Sequence, residues 1–147
     1  MHDYFFDIAL TEARKAYKKD EVPIGCVIVH KNQPIAKTHN LKQTQADCLA
    51  HAEMLALTQA QHVLGDWRLT DCDIYITLEP CIMCAGAILH ARLANVYYGA
   101  KDSKWGAETT LQLFSKKHVN HLLNVHYIDT PECSHLLSQF FKGKRSR

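Results

Sequence analysis

Leu78-Glu79-Pro80-Cys81-Ile82-Met83-Cys84 limits the folds open to this chain more than any other stretch. Asp73 to Leu78 reads as a strand, with Ile74 and Ile76 in phase, and Ile82 to Ala91 reads as a core helix rich in small residues. Two thiols three positions apart therefore stand at a strand-to-helix corner. Pro80 suits the first turn of that helix, where its missing N–H has no partner to lose. The partial positive charge of a helix N-terminus favours thiolate over thiol. Such a pair can be a metal clip, a redox couple or two small core residues. The N-terminal Met1-His2-Asp3-Tyr4 lacks the basic-then-apolar pattern of a secretion signal, and the apolar runs are too short to cross a membrane. The expected compartment is the cytoplasm, which keeps thiols reduced. For a close pair among the six cysteines this favours a metal or catalytic role over a disulfide.

The rest of the chain builds a sheet around that corner. Tyr4 to Lys19 is an amphipathic helix. Ile24 to His30 and Ile35 to His39 are strands joined by a turn at Asn32-Gln33-Pro34, an antiparallel hairpin. Ala50 to Gln61 is a helix. Asn95 to Gly99 is a strand, Leu111 to Ser115 a short helical stretch, Val125 to Ile128 a last strand and Glu132 to Lys142 a closing helix. The order α-β-β-α-β-α-β-α-β-α predicts an α/β fold: a five-stranded mixed sheet in a three-layer α/β/α arrangement, with parallel strands added from residue 73 onward. A length of 147 residues fits one domain spanning 1–147.

Two cysteines leave zinc two ligands short. His51, in Ala50-His51-Ala52-Glu53, also stands at a predicted helix start, and strand-to-helix corners on one edge of an open sheet converge. His51, Cys81 and Cys84 then supply three ligands for one Zn²⁺ per chain. Structural zinc sites close with four protein ligands, whereas catalytic ones leave the fourth position to water. Two thiolates balance the charge of the ion. Glu53, not needed as a ligand, is the candidate proton carrier. Taken alone, a His at a helix start is usually a polar surface residue, and a Glu there a partner for the helix dipole. The joint pattern His-x-Glu with Pro-Cys-x-x-Cys is far more specific, and it is a known signature of zinc nucleobase deaminases. A redox Cys-x-x-Cys pair would need no histidine. Cys48, three residues before His51, is expected to be a small buried residue rather than a fourth ligand.

Net charge is only +2, but residues 101–147 hold eight basic and four acidic side chains, and four of the last six residues are Lys or Arg. A basic end beside aromatics can meet phosphates and bases. A solvated, frayed terminus would look the same.

The chain resembles the bacterial tRNA-specific adenosine deaminases of the cytidine-deaminase-like superfamily. The resemblance rests on Glu21-Val22-Pro23-Ile24-Gly25, His51-Ala52-Glu53, Leu78 to Ala87, Gly99-Ala100-Lys101-Asp102 and Leu137-Ser138-Gln139-Phe140-Phe141. It implies a cytidine-deaminase-like fold, a homodimer, and hydrolytic deamination of the wobble adenosine in a tRNA anticodon arm, that of an arginine tRNA, to inosine. It implies zinc on His51, Cys81 and Cys84, proton transfer by Glu53, and contact with the target nucleoside by Asn40. It also implies RNA contacts by Asp102 and Lys104 in one loop and by Phe140, Phe141 and Arg145 at the C-terminal helix. The chain departs from the family at Asp47-Cys48-Leu49, where a Pro and a hydroxyl residue are usual, so Asp47 is expected to cap the following helix. Trp105 stands where a smaller residue is common. A small-molecule deaminase acting on cytosine, cytidine or guanine would share every zinc residue. A zinc-stabilised RNA-binding module would have no use for Glu53.

Overall fold

The computed structural model describes residues 1–110, 112–115, 121 and 123–145. Helix α1 spans His2–Lys18, strand β1 Gly25–His30, strand β2 Gln33–His39 and helix α2 Ala52–Leu64. Strand β3 spans Cys72–Ile76, helix α3 Ile82–Ala91 and strand β4 Asn95–Tyr98. A 3₁₀ turn at Leu113–Ser115 precedes strand β5, Asn124–Tyr127, and helix α4, Pro131–Arg145. The order of elements agrees with expectation. Leu111, placed in the short helical stretch, lies outside the described residues.

The strands form one sheet in the order β2-β1-β3-β4-β5. β1 runs antiparallel to β2 and β3, while β3, β4 and β5 are parallel, as the strand–helix–strand pattern requires. Alternation along β1 and β3 divides the core between the two faces. Cys26, Ile28, Ile74 and Ile76 pack with Ala52, Ala56, Ala85 and Ile88 of α2 and α3. Val27, Val29 and Tyr75 pack with Phe5, Phe6 and Ala9 of α1. Each of the larger buried apolar side chains stabilises the fold by about 1.5–3 kcal/mol. Gly25 lets α1 cross β1 closely, since a Cβ there would lie 1.9 Å from the Ala9 carbonyl oxygen.

The hairpin turn falls earlier than the Asn-Gln-Pro signal suggests. Lys31 and Asn32 take positive φ values of 51° and 63°, the geometry of a tight two-residue hairpin turn, and Gln33 and Pro34 already belong to β2. Pro34 is tolerated because β2 is an edge strand, and the register shifts between Ile28 and Val29, where Ala36 and Pro34 are the partners.

Topology sets where chemistry can occur. Because β1 is antiparallel to both neighbours, the end of β2 (His39, opposite Gly25) and the end of β3 (Ile76, opposite Cys26) meet at one sheet edge. The end of β4 (Tyr98, opposite Ile76) joins them. The segments leading into α2 and α3 and the loop after β4 all leave the sheet from this edge.

Candidate active site

His51 and Cys81 occupy equivalent positions. Each is the residue just before its helix, with extended backbone (φ −70°, ψ 149° and φ −76°, ψ 176°). Pro80 therefore precedes the helix start rather than sitting in the first turn, and its carbonyl accepts a hydrogen bond from the Ala107 amide at 2.9 Å. The extended backbone at His51 also frees its side chain from a helical relation to Glu53. Helical geometry would set residues two apart about 200° from each other, but that rotation does not apply across a non-helical residue. Thr38 Oγ1 donates to the Ala52 carbonyl at 2.6 Å, and the Leu41 amide to the Ala50 carbonyl at 3.0 Å, so the end of β2 clamps the start of α2.

His51 Nδ1 lies 3.7 Å from Cys81 Sγ and 3.5 Å from Cys84 Sγ. One donor atom from each of the three residues fits within 4.8 Å of the others, an arrangement able to hold a metal ion. One imidazole and two sulfurs match the donor set of zinc sites with three protein ligands. Among the described residues Cys48 is no part of this cluster; it is exposed, not buried as expected. A hydrogen bond from the Cys84 thiol, working against burial and helped by His51, brings the Cys81 thiol down to about 4. The same bond, together with burial, drives the Cys84 thiol upward. The bond with Cys81 raises the His51 imidazole, against burial. Glu53 is 4% exposed, and its carboxyl meets the Cys84 thiol; burial pushes it up to about 7. The corner therefore holds a cluster of soft donors and one buried carboxyl poised near neutrality.

Comparison with known proteins agrees with this chemistry. Residues 1–145 match the MafB19-like deaminase family. A tRNA-specific adenosine deaminase of Bacillus subtilis is 44% identical over 141 residues, covering 95% of this chain and 88% of that protein. The chain belongs to the tRNA-specific adenosine deaminase family. A structure from a study of A-to-I editing by tRNA deaminases at the wobble position superposes with a TM-score of 0.83 at 42% identity, covering 86% of this chain and 98% of that one. A guanine deaminase of Bacillus subtilis is more distant, with a TM-score of 0.67 and 30% identity over 100% of this chain and 95% of that one. The cytidine-deaminase-like fold expected from the sequence is the fold observed.

The remaining residues that the family resemblance singles out fall into three places. Asn40 directly follows β2 and is 6% exposed; its side chain accepts from the Lys42 amide at 3.1 Å and donates to the Val22 carbonyl at 3.3 Å. Asp102 folds the loop after β4, its Oδ1 accepting from the amides of Lys104 and Trp105. Phe140 and Phe141 line a groove with Lys19, Asp20, Val22, Gln43, Thr44 and Lys144. Within it Phe140 is mostly core, 7% exposed and edge-on to Tyr17 at 5.8 Å, while Phe141 is 44% exposed. Arg145 is exposed at the end of α4, and Arg147 lies outside the described residues. Asp47 does not cap α2: its Oδ1 accepts from the Leu49 amide and turns the loop instead.

Sequence reasoning missed the buried acids beside this edge. Glu79, 2% exposed, accepts hydrogen bonds from the amides of Asp102, Glu108 and Thr109 and from the Thr109 hydroxyl. Glu21, 1% exposed, accepts from the amides of Gln43 and Thr44. Each carboxylate pins a loop that flanks the cluster. The available signal was an acid next to Pro80 and another two residues before Pro23, but nothing local shows where such side chains reach.

Proposed function

We propose that the protein hydrolytically deaminates the wobble adenosine of a tRNA to inosine, with release of ammonia, and that residues 1–147 form one zinc-dependent deaminase domain. The observation that carries this reading is the donor cluster of His51, Cys81 and Cys84 with the Glu53 carboxyl buried against it. The wobble position is named for the 42%-identical structure, and tRNA for the 44%-identical relative.

In this reading His51, Cys81 and Cys84 hold one Zn²⁺. Bound there, zinc supplies the Lewis acidity that makes water a nucleophile near neutral pH. Glu53 takes a proton from the attacking water and delivers it to the departing amine, a role open to a buried carboxyl beside the three donors. Asn40 orients the nucleoside beside the corner. Asp102 and Lys104 meet the anticodon backbone, and Phe140, Phe141 and Arg145 flank the bound loop from α4, with Phe141 offering the exposed ring. Leu49 and Ile82, each 53% exposed and within two residues of a cluster residue, supply apolar surface for a second copy of the chain, consistent with a homodimer. No helix among the described residues is long and apolar enough to cross a membrane, which fits work on tRNA in the cytoplasm.

A guanine- or cytosine-type deaminase is the second reading, supported by the likeness to guanine deaminase. The basic final third of the chain, eight basic against four acidic residues, favours a polyanionic substrate. The test is incubation with an anticodon stem-loop of an arginine tRNA carrying adenosine at the wobble position, in parallel with free guanine, cytosine and nucleosides. Ammonia and inosine should appear with the stem-loop. Turnover of the free bases alone would reverse the assignment.

A further inference from the structure

We propose that Trp105 is a stacking platform for a base next to the target adenosine, and so a determinant of anticodon-loop affinity in this chain. The inference rests on the tRNA reading above.

The loop that carries Trp105 is held rigidly beside the metal-binding corner. At one end the Glu79 carboxylate accepts from the Asp102 amide at 3.0 Å. At the other it accepts from the amides of Glu108 and Thr109 at 2.9 and 2.6 Å. The Pro80 carbonyl takes the Ala107 amide between them. Glu79 and Pro80 lead directly into Cys81, so the loop and the corner are parts of one rigid unit. Inside the loop, Asp102 Oδ1 accepts from the Lys104 and Trp105 amides at 3.0 and 3.1 Å, and the Asp102 carbonyl accepts from Gly106 at 3.0 Å. Gly106 leaves no room for adjustment, since a Cβ there would lie 2.5 Å from the Glu79 carboxyl carbon.

At the tip of this loop Trp105 is 68% exposed, more than any Phe, Tyr or other Trp among the described residues. No ring or cation of the described residues lies over it. Trp67 differs: the guanidinium groups of Arg68 and Arg92 stand 5.2 and 6.0 Å from its ring. With the backbone braced, only the two side-chain torsions of the indole remain to be ordered on binding, and every nucleobase offers it a π-face. Exposed Lys104 beside it suits the adjoining phosphate. A base taken out of its stack for chemistry leaves its neighbours without a partner, and an exposed aromatic on a loop tied to the residues leading into Cys81 can supply one.

The test combines protein and RNA changes on the full chain with zinc bound. Alanine replacement of a stacking aromatic costs about 5- to 150-fold in affinity. Trp105→Ala should weaken stem-loop binding within that range and Trp105→Phe by less, with zinc content unchanged. An abasic nucleotide next to the wobble position, on one side or the other, should weaken binding to the wild type but not further weaken binding to Trp105→Ala. In a Trp67→Phe background the only remaining tryptophan is Trp105, and its fluorescence should be quenched as stem-loop is added. Normal deamination by the wild type, with Trp105→Ala binding equally well or with abasic costs equal in both proteins, would overturn this inference alone. A wild type that fails to deaminate the stem-loop would overturn the tRNA reading, and this inference with it.

Discussion

Cys84 Sγ lies 3.5 Å from Nδ1 of His51, 33 positions away in sequence. That approach follows from β1 running antiparallel to both neighbours, which delivers the chain into α2 and α3 from the same edge. If these side chains and Cys81 hold zinc, no two of them suffice. His51→Ala, Cys81→Ala and Cys84→Ala should each lose the metal and the activity, because a site with two protein ligands competes poorly with water. Metal analysis of the purified variants checks this, and one zinc per chain in any of them would remove that residue from the ligand set.

Glu53 should separate metal binding from catalysis. Its carboxyl is buried against Cys84 but is not one of the three clustered donors. Glu53→Ala should keep zinc and fold, and lose about 10²- to 10⁴-fold in rate, the usual contribution of a general acid–base group. Rate and zinc content are to be measured on the same sample. A near-wild-type rate with zinc present would assign the proton transfer to another group.

The parts of this arrangement that could be read from the chain are those carried by local pattern. The bounds of α3, Ile82–Ala91, follow from its small apolar residues, and the His-x-Glu and Pro-Cys-x-x-Cys spacing singled out His51, Glu53, Cys81 and Cys84 before any geometry was known. Local pattern failed where backbone or distant partners decide. Lys31 takes a left-handed conformation that its residue type does not advertise, so the hairpin turn came earlier than expected. The extended backbone at His51 starts α2 at Ala52, two residues later than the helical pattern suggests. Glu79 binds residues 23 to 30 positions away, a reach no local window contains.

Glu12 supplies a pH test of the fold near Asn40. It is 6% exposed, and its carboxylate accepts from Lys15 Nζ at 2.6 Å and His39 Nδ1 at 2.9 Å. Burial opposes ionisation, but the hydrogen bonds from His39 and Lys15 and their charges prevail, so the carboxyl sits below its ordinary 4.5. A carboxyl lowered by folding stabilises the native state above the unfolded value, and that contribution fades as pH falls through the folded value. Glu12→Gln should therefore lower Tm at neutral pH, with the gap to wild type shrinking below about pH 4.5. Thermal melts from neutral pH to about 3 measure it. A gap that stays constant across that range would mean packing, not charge, is responsible.

The basic C-terminus gives the last prediction. Lys144 Nζ lies 2.6 Å from Asp20 Oδ2 and 5.5 Å from the centre of the Phe140 ring, so its charge helps to dock α4 on the end of α1. Arg145 is exposed beside it. Each basic group seated on a phosphate releases a counterion, and its removal flattens the salt dependence of binding by about 1 in logarithmic slope. Arg145→Ala should show that change, whereas Lys144→Ala should flatten the slope less, because Asp20 already neutralises Lys144. Removing residues 142–147 should weaken stem-loop binding most at low salt and leave zinc in place. The measurement is stem-loop affinity across a salt series for the intact chain, the two point variants and the truncation. Superimposable lines for intact and truncated protein would take the C-terminus, and Arg145 with it, off the RNA surface.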